Sequence, residues 1–157
     1  MNYSFFGTCY SDHEQFFDCL QTILDQTIRP KEIILVNSGE INIEKKILDK
    51  IDSKEIKLVY ICSNVSRVKA LNLAIDKTSS KYSFRFDTRS RFSRDYAENA
   101  LLALQNKNLD AAVVGGVPNV ISSSNKFIPK LCAEIMGRSY LYFFPKHRDI
   151  NLSLIHI

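Results

Sequence analysis

A doubly wound α/β fold with a mostly parallel sheet is what this chain of 157 residues predicts, and three observations carry the expectation. Short apolar runs alternate with amphipathic helical stretches in the order β-α-β-α-β. One of the runs, Glu32 to Val36, is continuously aliphatic after its first residue, as an interior strand buried on both faces requires. The connections between runs are short, which favours helices crossing over between parallel strands.

The elements follow in order. Tyr3 to Cys9 is an apolar run too short for a helix and reads as the first strand. From Glu14 to Gln26, residues Phe16, Phe17, Leu20, Ile23 and Leu24 keep the i, i+3, i+4, i+7 spacing of an amphipathic helix, which Arg29-Pro30 ends. Glu32 to Val36 is the second strand, and Asn37-Ser-Gly-Glu40 supplies turn chemistry just past it. A helix is predicted from Ile43 to Ile51, a third strand from Ile56 to Cys62, and a third helix from Val65 to Lys77. On that helix Val68, Leu71, Asn72 and Ile75 share one face. Tyr82 to Phe86 makes a fourth strand, and Ser93 reads as the N-cap of a helix reaching Asn106. Ala111 to Val114 is a fifth strand, ending at Gly115-Gly116. After Pro118 the pattern weakens: Ser122 to Ser124 is a loop and Phe127 to Met136 is helical.

Composition narrows the function classes. With 45% hydrophobic and 24% charged residues the chain is an ordinary globular protein, and no apolar run approaches the ~20 residues of a membrane span. The first residues carry neither a basic n-region nor an apolar h-region, so a cytoplasmic location is expected. Cys9, Cys19, Cys62 and Cys132 form no CxxC pair and no metal-ligand cluster, as reduced core thiols would. The net charge of +4 is spread along the chain, which argues against nucleic acid as a partner and leaves room for anionic membrane surfaces or phosphates. There is no GxGxxG, GxSxG, P-loop or HExxH, so dinucleotide enzymes, hydrolases, ATPases and zinc peptidases are disfavoured. His13, His147 and His156 have no acidic partner at meaningful spacing and read as surface residues.

In open α/β sheets ligands lie beyond the carboxyl ends of the strands, at the point where the strand order reverses. Those ends carry Tyr10-Ser11, Asn37 to Glu40, Ser63 to Arg67, Asp87 to Arg91, and Gly115-Gly116. Arg67 and Lys69 open a helix whose N-terminus and cationic side chains suit a diphosphate, or else mark only its solvated face. Gly115-Gly116 lets the backbone approach a sugar, or is a simple turn.

Taken together these strand ends resemble the inverting family 2 glycosyltransferases of GT-A fold, over residues 3 to 120. The resemblance runs through Cys9-Tyr10-Ser11, the helix ending in Gln26, and Arg29-Pro30-Lys-Glu-Ile-Ile-Leu-Val36. It continues through Asn37-Ser-Gly-Glu40, where the family has Asp-Asp-Gly-Ser, and Lys69-Ala-Leu-Asn72. Arg85, Asp87, Arg89, Phe92 and Asp95-Tyr96 are similar to the pattern of bacterial exopolysaccharide transferases of succinoglycan type. The resemblance implies a nucleotide-sugar donor, UDP-linked foremost, and a saccharide or lipid-linked saccharide acceptor in bacterial surface-polysaccharide assembly. It implies nucleotide contacts from Tyr10, Ser11, Asn37, Glu40, Arg67, Asp87, Arg89 and Arg91, with Gly115 and Gly116 in a donor or acceptor sugar loop. Asn37 offers an amide carbonyl to the base where the family offers a carboxylate, or simply shapes a β-turn.

The family's Asp-x-Asp holds a divalent Mg²⁺ or Mn²⁺ through its last Asp. Here Asp87 is kept but Arg89 stands in the place of that second carboxylate. Either Arg89 or Arg91 grips the diphosphate directly, or Asp87 holds a loosely bound metal, or the arginines pair with surface acids in a decayed site. The resemblance divides the chain into a nucleotide-sugar-binding subdomain, residues 1–120, and the start of an acceptor half, residues 121–157. Beyond Gly116 the carboxylates are Glu134 and Asp149, neither in an acidic pair, so the general base of an inverting transferase is expected to be absent from this chain. Asn151 to Ile157 reads as an unrelated tail on a truncated chain, or as an apolar C-terminal strand. The alternative function is a non-catalytic, Rossmann-like domain that binds a nucleotide or nucleotide-sugar, whereas peripheral membrane association goes with the transferase reading.

Overall fold

Four strands form where the apolar runs lie. A computed structural model describes residues 2–11, 13–51, 54–105, 113–115, 126–142 and 153–155. Strands β1 (Tyr3–Cys9), β2 (Glu32–Asn37), β3 (Lys57–Cys62) and β4 (Tyr82–Asp87) make one sheet in the order β3-β2-β1-β4. All three pairings are parallel, with Ser4 opposite Glu32, Tyr3 opposite Tyr82, and Glu32 opposite Lys57. The doubly wound α/β expectation holds for this sheet. Helices α1 (His13–Leu24), α2 (Glu44–Leu48) and α3 (Arg67–Asp76) connect the strands, and α4 (Tyr96–Gln105) follows β4.

The central strands are covered on both faces. On one face Phe6, Ile34 and Val36 pack with Ala70 and Ala74 of α3. On the other, Phe16 of α1 meets Phe86 with ring centroids 6.0 Å apart. On β1 and β4, Tyr3, Phe5 and Phe84 form an aromatic layer that Phe92 and Tyr96 extend. Gly7 is required inside this packing, because a Cβ there would stand 2.6 Å from both the ring and the carbonyl oxygen of Phe86.

Several sequence expectations change. Helix α3 does not bury Val68 and Ile75, which are 68% and 47% exposed. Its inner face is Ala70 and Ala74, since small residues let the helix lie close on the sheet. Ser93 does not cap α4, which begins at Tyr96; the Ala97 N–H there donates instead to Oε1 of Gln26, 2.9 Å away. The same Gln26 side chain donates to the Ser93 carbonyl at 2.7 Å.

The chain divides into two compact units, Met1–Glu98 and Asn99–Ile157. In the second, β5 (Val113–Gly115) is not a fifth parallel strand: it pairs antiparallel with β6 (Ser153–Ile155) in a separate two-stranded sheet. Residues 153–155 form the partner strand of that sheet. Helix α5 spans Phe127–Tyr142. Gly116, the Ser122–Ser124 loop, His147, Asp149 and His156 lie outside the described residues.

The four cysteines are thiols, but only Cys9 and Cys19 belong to the core; Cys62 and Cys132 are exposed. Burial pushes the Cys19 thiol up to about 12, with the Arg91 charge drawing it down and Asp87 raising it. Only thiolates alkylate readily. A maleimide applied to the folded chain at neutral pH is expected to label Cys62 and Cys132 and spare Cys9 and Cys19, as peptide mass mapping would check.

Candidate functional site

Strand order places the site. The chain winds outward from β1 through β2 to β3, then returns to add β4 on the other side of β1, so the reversal lies between β1 and β4. Beyond the carboxyl ends there is a cavity of about 630 Å³. Its walls are Thr8, Cys9 and Tyr10 from the end of β1, Ser38 after β2, Val65 and Arg67 entering α3, and Asp87, Thr88 and Arg89 after β4.

The turn after β2 is built by Asn37. This residue is fully buried. Its Oδ1 accepts from the Gly39 N–H at 3.0 Å, while its Nδ2 donates to the Ile41 carbonyl at 2.7 Å and to the Tyr60 hydroxyl at 2.8 Å. Such an Asx turn holds its own backbone two residues on. The Ser38 N–H donates to the Cys9 carbonyl at 2.9 Å, which locks the turn to the end of β1. Burial therefore makes Asn37 a brace, and the cavity is met by its neighbour Ser38. The Ser38 hydroxyl oxygen is buried and has no hydrogen-bond partner among the described residues, a state that is costly unless a ligand relieves it. Tyr10, 65% exposed on the cavity wall, offers a ring face to a flat ligand. Ser11 and Glu40 are exposed beside these two segments.

Across the cavity, Asp87 is set between arginines. Arg67, the first residue of α3, donates from Nη2 to Asp87 Oδ1 at 2.5 Å. Arg85 donates from its Nη2 to both carboxylate oxygens of Asp87 at 3.1 Å. The strand period of two puts Arg85 and Asp87 on one face of β4, which is why they meet. Arg89 lines the cavity two residues on and has no ion pair among the described residues. Three guanidinium groups against one carboxylate leave this wall cationic.

Arg91 is a correction to the sequence expectation. Its guanidinium turns toward α1, donating to Asp18 Oδ2 at 2.7 Å and to the Gln15 carbonyl at 3.3 Å, so it fastens the loop and does not line the cavity. The same loop is held by Phe92, whose ring lies 5.2 Å from that of Phe5, and by the Gln26 and Thr27 contacts to Ser93 and Arg94. Arg89 thus projects from an anchored segment. Ser38, Val65 and Thr88 fall inside the strand-end segments named from the sequence but were given no role there, and Arg85 entered only as part of the family pattern, although alternation along β4 sets it beside Asp87; Thr8 needed the fold. His13 opens α1 with its Nε2 buried and unpartnered among the described residues, unlike the surface histidine expected. Gly115 lies in β5, Glu134 is exposed on α5, and no described residue is identified as a general base.

Comparison with known proteins agrees with the fold. The profile of glycosyl transferase family 2 matches residues 8–155. An uncharacterized glycosyltransferase of Haemophilus influenzae is 27% identical over 135 residues, covering 84% of this chain and 39% of that protein. Among solved structures, residues 1–349 of S. aureus TarS in complex with UDP superpose with a TM-score of 0.59 at 15% identity, covering 79% of this chain and 40% of that one. The mannosyltransferase PcManGT from Pyrobaculum calidifontis, in complex with GDP-Man and Mn²⁺, gives a TM-score of 0.54 at 18% identity, covering 67% and 32%. These neighbours share the GT-A architecture. The chain spans about two fifths of the length of the curated relative and of TarS 1–349.

Proposed function

Because this chain belongs to glycosyl transferase family 2, we propose that its cavity binds a nucleoside-diphosphate sugar and that the protein transfers the sugar, with inversion, to a saccharide or lipid-linked saccharide acceptor. The observation that carries this is the cavity at the strand-order reversal, cationic on one wall and aromatic on the other. Tyr10, Ser11 and the turn from Ser38 to Glu40 receive the base, with Asn37 bracing that turn from behind. Arg67 and Arg89 receive the diphosphate, and Asp87 faces the ribose. In the transfer an acceptor oxygen forms a bond to the anomeric carbon, the bond from that carbon to the diphosphate breaks with its electron pair leaving on phosphate, and the acceptor proton passes to a base. Cationic donors beside the leaving group favour that step by stabilising the charge it gains.

UDP is the favoured nucleotide, supported by the UDP complex of TarS; GDP is the competing one, supported by PcManGT. Surface-polysaccharide assembly at the cytoplasmic face of a bacterial membrane fits such a donor, and no helix among the described residues is long and apolar enough to cross a membrane. Titration calorimetry with UDP, GDP and their sugars is expected to give binding on the order of 1 mM or tighter, with UDP ahead. An absence of heat with all four ligands, from a sample shown to be folded, would sink the proposal. Binding of UDP-sugars without turnover by the full enzyme would favour a non-catalytic nucleotide-binding domain.

A further inference from the structure

The acid of the cavity is already engaged. Asp87 Oδ1 accepts from both Arg67 and Arg85, and Oδ2 accepts from Arg85. A divalent cation, which the fold family implies, is held at a phosphate site by one or two carboxylates together with the phosphates, and needs those carboxylate oxygens free of competing cations. Among the described residues no three His, Cys, Asp or Glu side chains come together to supply them. Asp87 is moreover flanked by two guanidiniums, with a third, Arg89, on the same wall. The donor set does not fit a metal.

It does fit an anion. We propose that this site holds the diphosphate of its nucleotide without a divalent cation, Arg67 and Arg89 gripping the phosphates while Arg85 retains Asp87. The proposal rests on the nucleotide-binding reading above. In the free site the Asp87 carboxylate occupies Arg67 where a phosphate would stand. The two side chains are 65% and 46% exposed, and ion pairs of that exposure are held weakly, so a diphosphate with more than one charge can displace the carboxylate. Arg85 then keeps a two-oxygen grip on Asp87, which leaves the Arg67 fork open to phosphate oxygens. Arg89 needs no such exchange, and the anchored loop holds it in place before the ligand arrives.

The test is UDP binding to the unmodified full chain, measured by calorimetry in EDTA and again in excess Mn²⁺, with uridine as the control. Dissociation constants for UDP in the two conditions are expected to agree to about twofold, and in EDTA UDP is expected to bind roughly tenfold or more tighter than uridine. Arg89→Asp, which restores a second carboxylate, is expected to weaken UDP about tenfold in EDTA and to recover part of that loss in Mn²⁺. Arg67→Gln is expected to weaken UDP and leave uridine unchanged. UDP binding that EDTA abolishes and Mn²⁺ restores would overturn the proposal, as would equal affinity for UDP and uridine. Failure of UDP and GDP to bind in either condition removes the nucleotide-binding reading itself, and this inference with it.

Discussion

Alanine at Gly39 is expected to weaken UDP binding by one to two orders of magnitude, roughly 1.4–2.8 kcal/mol. No methyl group fits there. A Cβ on Gly39 would overlap the Tyr10 carbonyl oxygen and stand 2.9 Å from the Tyr10 carbonyl carbon and 3.3 Å from Asn37 Oδ1. The first two atoms are backbone, so the turn after β2 and the end of β1 have to part. Both segments line the cavity, through Ser38 and Tyr10, and displacement spreads the two groups proposed to receive the base. The strain is expected to cost about 1–3 kcal/mol of stability as well, in the range of other forced overpackings. Calorimetry with UDP and a urea unfolding midpoint separate the two effects. Affinity unchanged in a folded Gly39→Ala variant would show that the turn takes no part in binding.

Glu32→Ala is expected to destabilise the fold by about 2–3 kcal/mol, because it takes a charged acceptor from the buried Ser4 hydroxyl and from the Ser79 N–H and hydroxyl at once. Glu32 is 1% exposed at the start of β2. Its Oε1 accepts from the Ser4 hydroxyl at 2.6 Å and from the Ser79 N–H at 2.6 Å, and its Oε2 accepts from the Ser79 hydroxyl at 3.0 Å. Burial alone would raise its pKa. The bonds from Ser4 and Ser79, with the charge of Lys57, outweigh that and hold it below the usual carboxylate value. The sign follows from linkage: a depressed pKa gives stability that is complete above the unfolded value, near ~4.3, and lost as pH falls through the folded one. Urea midpoints of the unmodified chain should therefore fall as pH drops below ~4.3, and Glu32→Gln should be less stable at neutral pH with a flatter acid limb. Equal stability of Glu32→Ala and the parent at neutral pH would refute the role given to this carboxylate.

Strand positions were legible because they rest on local pattern. The apolar runs at Tyr3, Glu32 and Tyr82 needed nothing beyond their own neighbours to be recognised, and the three matching strands begin at those residues. Face assignment on α3 was not legible, since bulk pointed to Val68 and Ile75 while the sheet selects Ala70 and Ala74 for closeness of approach. Long-range hydrogen bonding hid the start of α4: Ser93 has the composition of a cap, but Gln26, far back in the chain, takes that task. In the site, the cluster of Tyr10, Arg67, Asp87 and Arg89 follows from strand ends meeting at one edge, which topology class predicts. What Asn37 and Arg91 do instead, one bracing a turn and the other fastening a loop to α1, depends on side-chain direction. Residue spacing carries no information about that.

Strand order also sets a schedule for the growing chain. Strand β1 can find β2 early, since Ser4 pairs with Glu32, but its other edge must wait for Tyr82 to Asp87 to be synthesised. Closing so long a loop is entropically slow, and until it happens one edge of β1 is open to mispairing with other chains. Asp87 and Arg89 arrive with that last strand, so the cationic wall of the cavity can exist only once the sheet has closed. Nascent chains released short of β4 would present the aromatic face of β1, Tyr3 and Phe5, to whatever chaperone meets them first.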